Sequence, residues 1–314
     1  MNVIDKAAAR RAFDAAADTY DAVAVLQREI GNRMLERLDY IRLAPKRVLD
    51  LGCGTGKALD ALARRYRRAE LIALDFAPGM LARARRRGHW LNRPRVICAD
   101  AEQVPLADDS VDLIFSNATL QWVNDLDASF RELLRVLRPG GLLLFSTFGP
   151  DTLRELRAAW AAADQGEHVS PFLDMHDIGD ALVRARFADP VMDVERMTLT
   201  YATLHDLMRD LKQLGAHNAL AGRSRGLTGR RRLAALADAY ERERRDGRLP
   251  ATYEVVHGHA WVTAKAQRQF APDAGIAIPP DAVAGRQRGP RRVAGGRVLI
   301  HHFQPTSHPN HTVA

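Results

Sequence analysis

Cysteine and aromatic residues are scarce in this sequence, and long apolar runs are missing. Only Cys53 and Cys98 occur in 314 residues, which is too few for a disulfide framework. No apolar run approaches the roughly 20 residues of a membrane-spanning helix, and the first 20 residues hold three aspartates but no apolar signal-peptide stretch. A hydrophobic share of 46% with 27% charged residues excludes a wholly disordered or fibrous chain. We therefore expect a soluble cytoplasmic protein without a membrane partner.

The formal net charge of +8 is spread unevenly along the chain. From Lys265 to the end there are seven basic and two acidic residues, and between Lys57 and Arg95 there are eleven basic and three acidic ones. Aromatic residues make up only 6% of the chain and do not alternate with these arginines, as they do on surfaces that bind single strands. We therefore expect no nucleic-acid partner.

Short apolar runs alternate with helical segments between residues 47 and 147. Each run is rich in Val, Ile, Leu or Phe, which is typical of strands that are buried on both faces of a parallel sheet. This repetition predicts a doubly wound α/β sheet. The predicted strands are Val48–Leu51, Leu71–Asp75, Val96–Asp100, Val111–Phe115 and Leu142–Phe145, and the predicted helices are Lys57–Arg68, Pro78–Arg87 and Leu126–Leu137.

The pattern divides the chain into three regions. Residues 1–44 are predicted to form a helical cap of one or two helices over Ala7–Leu38, and residues 45–264 the main domain. Residues 265–314 are rich in Pro, Gly, Ala and Arg without periodicity, so we expect a disordered tail. A helical insert over residues 151–250 is predicted to contain helices at Asp151–Ala163, His176–Phe187, Leu204–Leu214 and Arg230–Arg245, with a strand at Val191–Tyr201. A further strand is predicted after the insert, at Thr252–Thr263.

A glycine-rich loop follows the first predicted strand and reads Asp50-Leu51-Gly52-Cys53-Gly54-Thr55-Gly56-Lys57. Alternate glycines let the backbone turn sharply and approach a ligand, and the next helix offers its positive end to a negative group. The G-x-G-x-G spacing disfavours a dinucleotide site, which uses G-x-G-x-x-G, and no phosphate-binding Walker loop is present.

Acidic residues end the next two strands. Asp75 ends the second strand, where a carboxylate can accept hydrogen bonds from both ribose hydroxyls. Asp100 and Glu102 end the third strand, where a carboxylate can accept a hydrogen bond from an adenine amino group. Phe76 and Met80 are predicted to pack on the adenine ring. Adenine and ribose without a phosphate indicate S-adenosylmethionine. The predicted cofactor residues are Asp50, Gly52, Gly54, Gly56, Asp75, Phe76, Met80, Asp100, Ala101, Glu102 and Asn117.

These motifs, together with the turn Arg138-Pro139-Gly140-Gly141, resemble those of class I S-adenosylmethionine-dependent methyltransferases over residues 45–150. The resemblance implies a mostly parallel, doubly wound, seven-stranded sheet with a helical C-terminal insert. No metal is expected, because the pair His257 and His259 has no acid or cysteine at ligand spacing and is interpreted as structural.

Longer strings resemble the malonyl-[acyl-carrier protein] O-methyltransferases of biotin synthesis over about residues 10–263. They are Phe13–Asp21 with Leu26-Gln27, Ser116–Val123, Phe148–Leu153, Leu211–Ala216 and Leu249–Tyr253. This resemblance implies methylation of the free carboxylate of malonyl carried by the phosphopantetheine arm of acyl carrier protein. Two alternatives stay open. The first is a methyltransferase-like assembly factor of respiratory complex I, because that family shares the strings His168–Phe172 and Pro250–Tyr253. The second is a small-molecule methyltransferase, for instance of quinone synthesis.

The implied chemistry needs no general base, because a malonyl carboxylate with an ordinary pKa of about 4 is ionised at neutral pH. A carboxylate stripped of water needs an Arg or Lys partner, and Lys212 and Arg223, with His217 between them, are the candidates. Tyr20 and Trp122 are predicted to close over donor and substrate, with a plain core role as the alternative. Carrier proteins are acidic, so the basic runs Arg64–Arg68 and Arg83–Arg87 are a candidate docking face, or simply a solvated surface.

Overall fold

The computed structural model describes residues 3–88, 93–164, 166, 168–216, 218–223, 226, 229–263 and 299–300. Its strands are β1 (Arg47–Leu51), β2 (Glu70–Asp75), β3 (Arg95–Cys98), β4 (Val111–Ser116), β5 (Leu137–Phe148), β6 (Ala188–Tyr201), β7 (Leu249–Trp261) and β8 (Leu299–Ile300). Its helices are α1 (Lys6–Ala16), α2 (Tyr20–Val23), α3 (Val25–Arg37), α4 (Lys57–Arg65), α5 (Pro78–Ala84), α6 (Leu126–Val136), α7 (Arg154–Ala163), α8 (Met175–Arg184), α9 (Leu204–Gln213) and α10 (Arg230–Glu241), with a short 3₁₀ helix at Leu120–Trp122.

The strands form one sheet in the order β3-β2-β1-β4-β5-β7-β6-β8. Strands β1 to β5 pair in parallel, and β7 lies antiparallel between β5 and β6, with Leu144 opposite His259. The predicted doubly wound, mostly parallel sheet is thereby confirmed. The two residues of β8 add a short parallel pair beside β6. The rest of the segment 265–314, which we expect to be disordered, lies outside the described residues.

Apolar side chains cover both faces of the sheet. Val48, Leu113 and Leu144 belong to the core beneath α3, α4, α7 and α10, whereas the adjacent residues Leu49 and Ile114 belong to the core beneath α6 and α8. Successive strand residues point to opposite faces, so burial on both sides explains why these strands read as continuous apolar runs.

Two local predictions differ from the structure. The N-terminal cap contains three helices instead of one or two, because the chain leaves helical geometry between α1 and α2 and again at Ala24, where ψ is 50°. The predicted turn at Arg138–Gly141 lies inside β5. Gly140 donates to the carbonyl oxygen of Val262 at 2.7 Å, and the Val262 N–H donates back to Gly141 at 3.0 Å. Pairing with the end of β7 therefore keeps this glycine segment in the sheet.

The start of the chain crosses the carboxyl edge of the sheet and is tied to the insert. Ile4 forms a bridge with Leu220, and the Asp5 N–H donates to the Ala219 carbonyl oxygen at 2.8 Å. The Ile4 N–H also donates to Oδ1 of Asn124 at 2.7 Å. Helix α1 therefore covers the crevice at the strand ends. Among the described helices, none is long and apolar enough to cross a membrane.

Candidate functional site

The chain order reverses between β1 and β4, and ligands of open α/β sheets bind at the carboxyl edge of such a switch point. Three adjoining cavities lie there, and the Tyr20 side chain lines all of them. The strand-end cavity is lined by Gly52, Asp75, Phe76, Met80, Asp100, Ala101 and Asn117, and the loop cavity by Asp50, Cys53, Gly54, Thr55 and Lys57. The large cavity, of about 610 Å³, extends from Trp122 into the helical insert.

The glycine loop is shaped by close packing. Gly52 has a left-handed φ of +70°, and a Cβ atom there would lie 2.1 Å from Oγ1 of Thr119. Any side chain at Gly52 would therefore displace Thr119. Gly54 also has a left-handed φ, of +53°, and it lines both the strand-end cavity and the loop cavity. Gly56 lines neither of these two cavities and is instead the N-cap residue of α4.

The carboxylate of Asp75 holds the loop against the end of β2. Its Oδ2 accepts from the Gly54 N–H and its Oδ1 from the Ala77 N–H, each at 2.9 Å. Burial raises the pKa of Asp75 to about 6, and the N–H groups that donate to it limit the rise. Each carboxylate oxygen has a second lone pair, so Asp75 keeps acceptor capacity toward the strand-end cavity.

Asp50 is a buried acid of strand β1. Its side chain is almost fully buried, and its Oδ2 atom has no hydrogen bond within the described part of the chain. Burial, and secondly the charge of Asp75, raises the pKa of Asp50 to about 8. A cationic group in the loop cavity would satisfy this carboxylate and restore its ionised form.

Lys6 from helix α1 reaches the two acids at the end of β3. Its Nζ atom lies 2.7 Å from both carboxylate oxygens of Asp100 and 2.7 Å from Oε2 of Glu102. Glu102 also accepts from the backbone N–H groups of Asn124 and Asp125. Asp100 lines the strand-end cavity, whereas Glu102 does not, so the structure places Glu102 in a loop-fixing network beside the cavity.

Aromatic rings separate the strand-end cavity from the large cavity. Phe13 of α1 packs edge-on against Trp122 at a centroid distance of 5.1 Å and lies 5.9 Å from Phe76. Phe13, Tyr20 and Trp122 each line both cavities. Burial and the charges of Asp75 and Asp21 raise the pKa of Tyr20 well above its ordinary value, so its hydroxyl stays neutral.

The two predicted substrate-binding cations both line the large cavity but differ in setting. Arg223 is largely buried, with its Nη1 donating to the Leu220 carbonyl oxygen at 2.8 Å and lying 3.5 Å from Oδ2 of Asp5. Lys212 is exposed, and its amino group has no partner among the described residues. The third candidate, His217, lies outside the described residues.

Several residues that line these cavities are not among the predicted site residues. Gln27 lies between the large and loop cavities, and its buried Oε1 has no partner in the described part of the protein. Its backbone oxygen accepts from Nδ2 of Asn117 at 2.8 Å. His168 stacks on Trp160 at 3.6 Å in the wall of the large cavity. Lys6, Phe13 and Gln27 lie in the predicted N-terminal cap. Local sequence patterns do not predict where this cap packs against the sheet.

The histidine pair His257 and His259 lies in the sheet on β7, away from the cavities. Burial, and secondly the positive charge of Arg37, lowers the pKa of His257 to about 3, so its ring is neutral. Within the described residues, no group of three or more His, Cys, Asp or Glu side chains is arranged to hold a metal ion.

Known proteins resemble this chain over most of its length. A profile of the methyltransferase domain matches residues 49–145. A malonyl-[acyl-carrier protein] O-methyltransferase from Methylovorus sp. is 54% identical over 295 residues, which cover 92% of this chain and 96% of that protein. The enzyme of the same name from Halorhodospira halophila is 56% identical over 260 residues, covering 82% and 88%. This chain belongs to the malonyl-[acyl-carrier protein] O-methyltransferase family. The resemblance seen in the sequence motifs is confirmed.

A solved structure agrees at the level of the fold. The YcgJ protein from Bacillus subtilis superposes with a TM-score of 0.52 at 16% identity, covering 74% of this chain and 99% of that one. By sequence family the chain is a methyltransferase, and S-adenosylmethionine is the methyl donor that the methyltransferase domain implies.

Proposed function

We propose that this methyltransferase transfers a methyl group from S-adenosylmethionine to the free carboxylate of malonyl bound to acyl carrier protein. The product would be the methyl ester that primes the pimeloyl chain of biotin, made in the cytoplasm. The names of its relatives support this substrate. The observation that carries the proposal is the junction at Tyr20 and Trp122, where the large cavity meets the strand-end cavity. A substrate in one cavity thus adjoins a donor in the other.

The residues of the two smaller cavities fit the donor. Asp75 would take the ribose hydroxyls, and Phe76 and Met80 would pack on the adenine. The unpartnered Oδ2 of Asp50 would accept from the α-ammonium group of the donor, which supplies the missing cation. When bound, S-adenosylmethionine supplies a methyl group on a positively charged sulfur. Lys57 opens helix α4 beside the loop cavity, where its charge and the helix N-terminus favour the donor carboxylate.

For the substrate carboxylate we favour Arg223 over Lys212. Both Nε and Nη2 of Arg223 have no partner in the described residues, so the guanidinium can bind a carboxylate with two parallel bonds. Its segment packs near the junction, because the neighbouring Leu220 belongs to an apolar cluster against which Phe76 and Trp122 pack. Lys212 is exposed, so it lies at the outer part of the large cavity.

Catalysis rests on alignment and on the removal of water. Since the malonyl carboxylate is ionised at neutral pH, the chain needs no residue to remove a proton. Apolar residues wall the large cavity, among them Phe148, Leu153 and Leu156, and they would exclude water from the reacting oxygen. Arg223 would hold the carboxylate, and the rings of Tyr20 and Trp122 would fix the direction of approach.

A substrate comparison tests the proposal. The chain is incubated with S-adenosylmethionine and malonyl carrier protein, acetyl carrier protein or a quinone precursor, and release of S-adenosylhomocysteine is measured. We expect release only with the malonyl carrier, because acetyl carries no free carboxylate. Release with the quinone precursor alone would favour the small-molecule alternative, and donor binding without release on any substrate would favour the assembly-factor alternative.

A further inference from the structure

The exposed residues that line the large cavity come from one part of the chain. Most of its described lining residues are buried or half-buried. The exposed ones are Met208 and Lys212 on α9, Gly226, and Arg232 on α10. We call these four residues the mouth. Because all four come from α9, α10 or the segment between these helices, a long substrate arm would enter the cavity there.

Positive charge lies beside the mouth, at the start of helix α10. Helix α10 begins with three exposed arginines. Within the described part of the chain, Arg230 and Arg231 form no ion pair, and Arg232 reaches only Oδ2 of Asp164, at 3.8 Å. The first turn of α10 contains no acidic residue, although positive charge at a helix N-terminus is unfavourable for the helix. Helix stability therefore does not account for these arginines.

Apolar surface lies among these charges. The side chains of Met208 and Leu233 are 37% and 46% exposed, and they belong to the few large apolar side chains on the described surface that are exposed. Met208 lines the mouth, and Leu233 follows the three arginines on α10. A rim of positive charge beside exposed apolar groups is typical of a surface that binds a protein rather than a small anion.

Three of the eight arginines on the other basic face form ion pairs within the described part of the chain. Arg65 pairs with Asp39, Arg83 with Asp18, and Arg87 with Asp21 and Asp60. None of the described arginines of Arg64–Arg68 or Arg83–Arg87 lines the large cavity. Because these arginines lie outside the cavity lining, we disfavour this candidate face for docking.

We propose that the acyl carrier protein docks at the mouth, on a surface formed by Met208, Lys212, Arg230, Arg231 and Leu233. This proposal rests on the proposed function. The carrier is acidic, and the phosphodiester that joins its arm to the protein is an anion, so both complement the positive rim. The arm would run inward past Lys212 and Arg232 and place the malonyl group near Arg223.

A pair of double charge reversals tests the docking surface. The variant Arg230→Glu/Arg231→Glu, which we call the mouth variant, alters the docking surface beside the mouth, and Arg85→Glu/Arg86→Glu is its matched control. Arg85 and Arg86 are likewise adjacent, exposed and without an ion pair in the described residues. We measure kcat/KM with malonyl carrier protein and with malonyl-N-acetylcysteamine, a thioester that lacks both carrier and phosphate. Melting temperatures check that each variant is folded.

We expect the mouth variant to lose about tenfold or more in kcat/KM with the carrier, because long-range attraction and rim contacts are reversed. Its kcat/KM with the small thioester should change by less than about twofold, and the control should keep both values. Equal losses in both variants, a larger loss in the control, or no loss with the carrier would overturn the docking surface.

A direct measurement of carrier binding distinguishes a failure of the docking surface from a failure of the proposed function. A fluorescence anisotropy titration of labelled malonyl carrier protein needs no methyl transfer. We expect binding that weakens with salt and with the mouth variant. Binding that the mouth variant leaves unchanged, or that is absent in the wild-type protein, contradicts the docking surface whatever the enzyme methylates. Normal mouth-dependent binding without turnover would contradict the proposed reaction alone.

Discussion

The Nζ atom of Lys6 lies 2.7 Å from both carboxylate oxygens of Asp100, a pair that joins the first helix to the end of the third strand. Asp100 is also the carboxylate that the sequence predicts for the adenine amino group. Lys6 thus holds α1 over the strand-end cavity while leaving Asp100 its remaining lone pairs. Access to the strand-end cavity and the position of the N-terminal cap are therefore linked through one ion pair.

Replacing Lys6 should loosen this cover. We expect Lys6→Met to weaken donor binding by about 3- to 10-fold and to speed donor dissociation. A change of this size corresponds to the loss of one partly buried ion pair. Calorimetry measures the affinity for the donor, and stopped-flow fluorescence measures the rate at which the donor dissociates. Arg33→Met, which breaks an ion pair of α3 with Glu195 on β6, is the control and should leave both unchanged. Tighter donor binding in Lys6→Met would show that Lys6 competes with the donor for Asp100.

Asp75 should be required for donor binding. We expect Asp75→Ala to weaken donor affinity by about 100-fold or more, because the ribose hydroxyls and the Gly54 N–H both lose their acceptor. The matched control is Asp112→Ala. Asp112 also accepts two backbone N–H groups at 2.8 Å, from Lys46 and Arg47, but at the opposite edge of the sheet. The control should lower the melting temperature without changing the affinity measured by calorimetry. Unchanged affinity in Asp75→Ala would contradict the cofactor assignment.

Donor binding should depend on pH through Asp50. Its folded pKa of about 8 exceeds the ordinary carboxyl value of about 4, so the unbound folded protein holds a proton there. The stability that this proton contributes is complete below pH 4 and is lost as pH rises through 8. The donor ammonium favours the carboxylate, so donor affinity should rise with pH between 6 and 8, by at most about tenfold per unit.

Calorimetry in buffers of different ionisation enthalpy measures the proton released when the donor binds at pH 7. The wild-type protein should release part of one proton, and Asp50→Asn should release less and bind the donor more weakly. Equal proton release in both proteins would mean that Asp50 does not respond to the donor.

Variants of Arg223 and Lys212 should differ in their kcat/KM for malonyl carrier protein. We expect Arg223→Ala to lower kcat/KM for malonyl carrier protein by about 100-fold, because a desolvated carboxylate loses a bidentate partner. Arg223→Lys should recover part of this loss, and Lys212→Ala should cost far less. Donor affinity should stay the same in all three. A larger loss in Lys212→Ala than in Arg223→Ala would move the carboxylate site to α9.

Local patterns are enough to predict the parallel part of the fold. Short apolar runs mark β1 to β5, and residues that follow parallel strands must meet at the same edge of the sheet. That rule by itself places Gly52, Asp75 and Asn117 around one crevice, and these three do line the strand-end cavity.

The remaining features depend on contacts between distant segments. Lys6 and Asp100 are separated by 94 positions, and the bridge between Ile4 and Leu220 joins the cap to the insert. Helical periodicity shows that a segment has an apolar face but not what that face covers. For the same reason, the run of arginines alone does not reveal the opening of the large cavity between α9 and α10.

The central claim is that the malonyl carboxylate receives the methyl group. Intact-mass analysis of malonyl carrier protein, after incubation with the enzyme and S-adenosylmethionine, tests it most directly. We predict a gain of one methyl group on the malonyl carrier, absent from acetyl carrier protein. An unchanged mass of the malonyl carrier, under conditions in which donor binding is intact, would contradict the account.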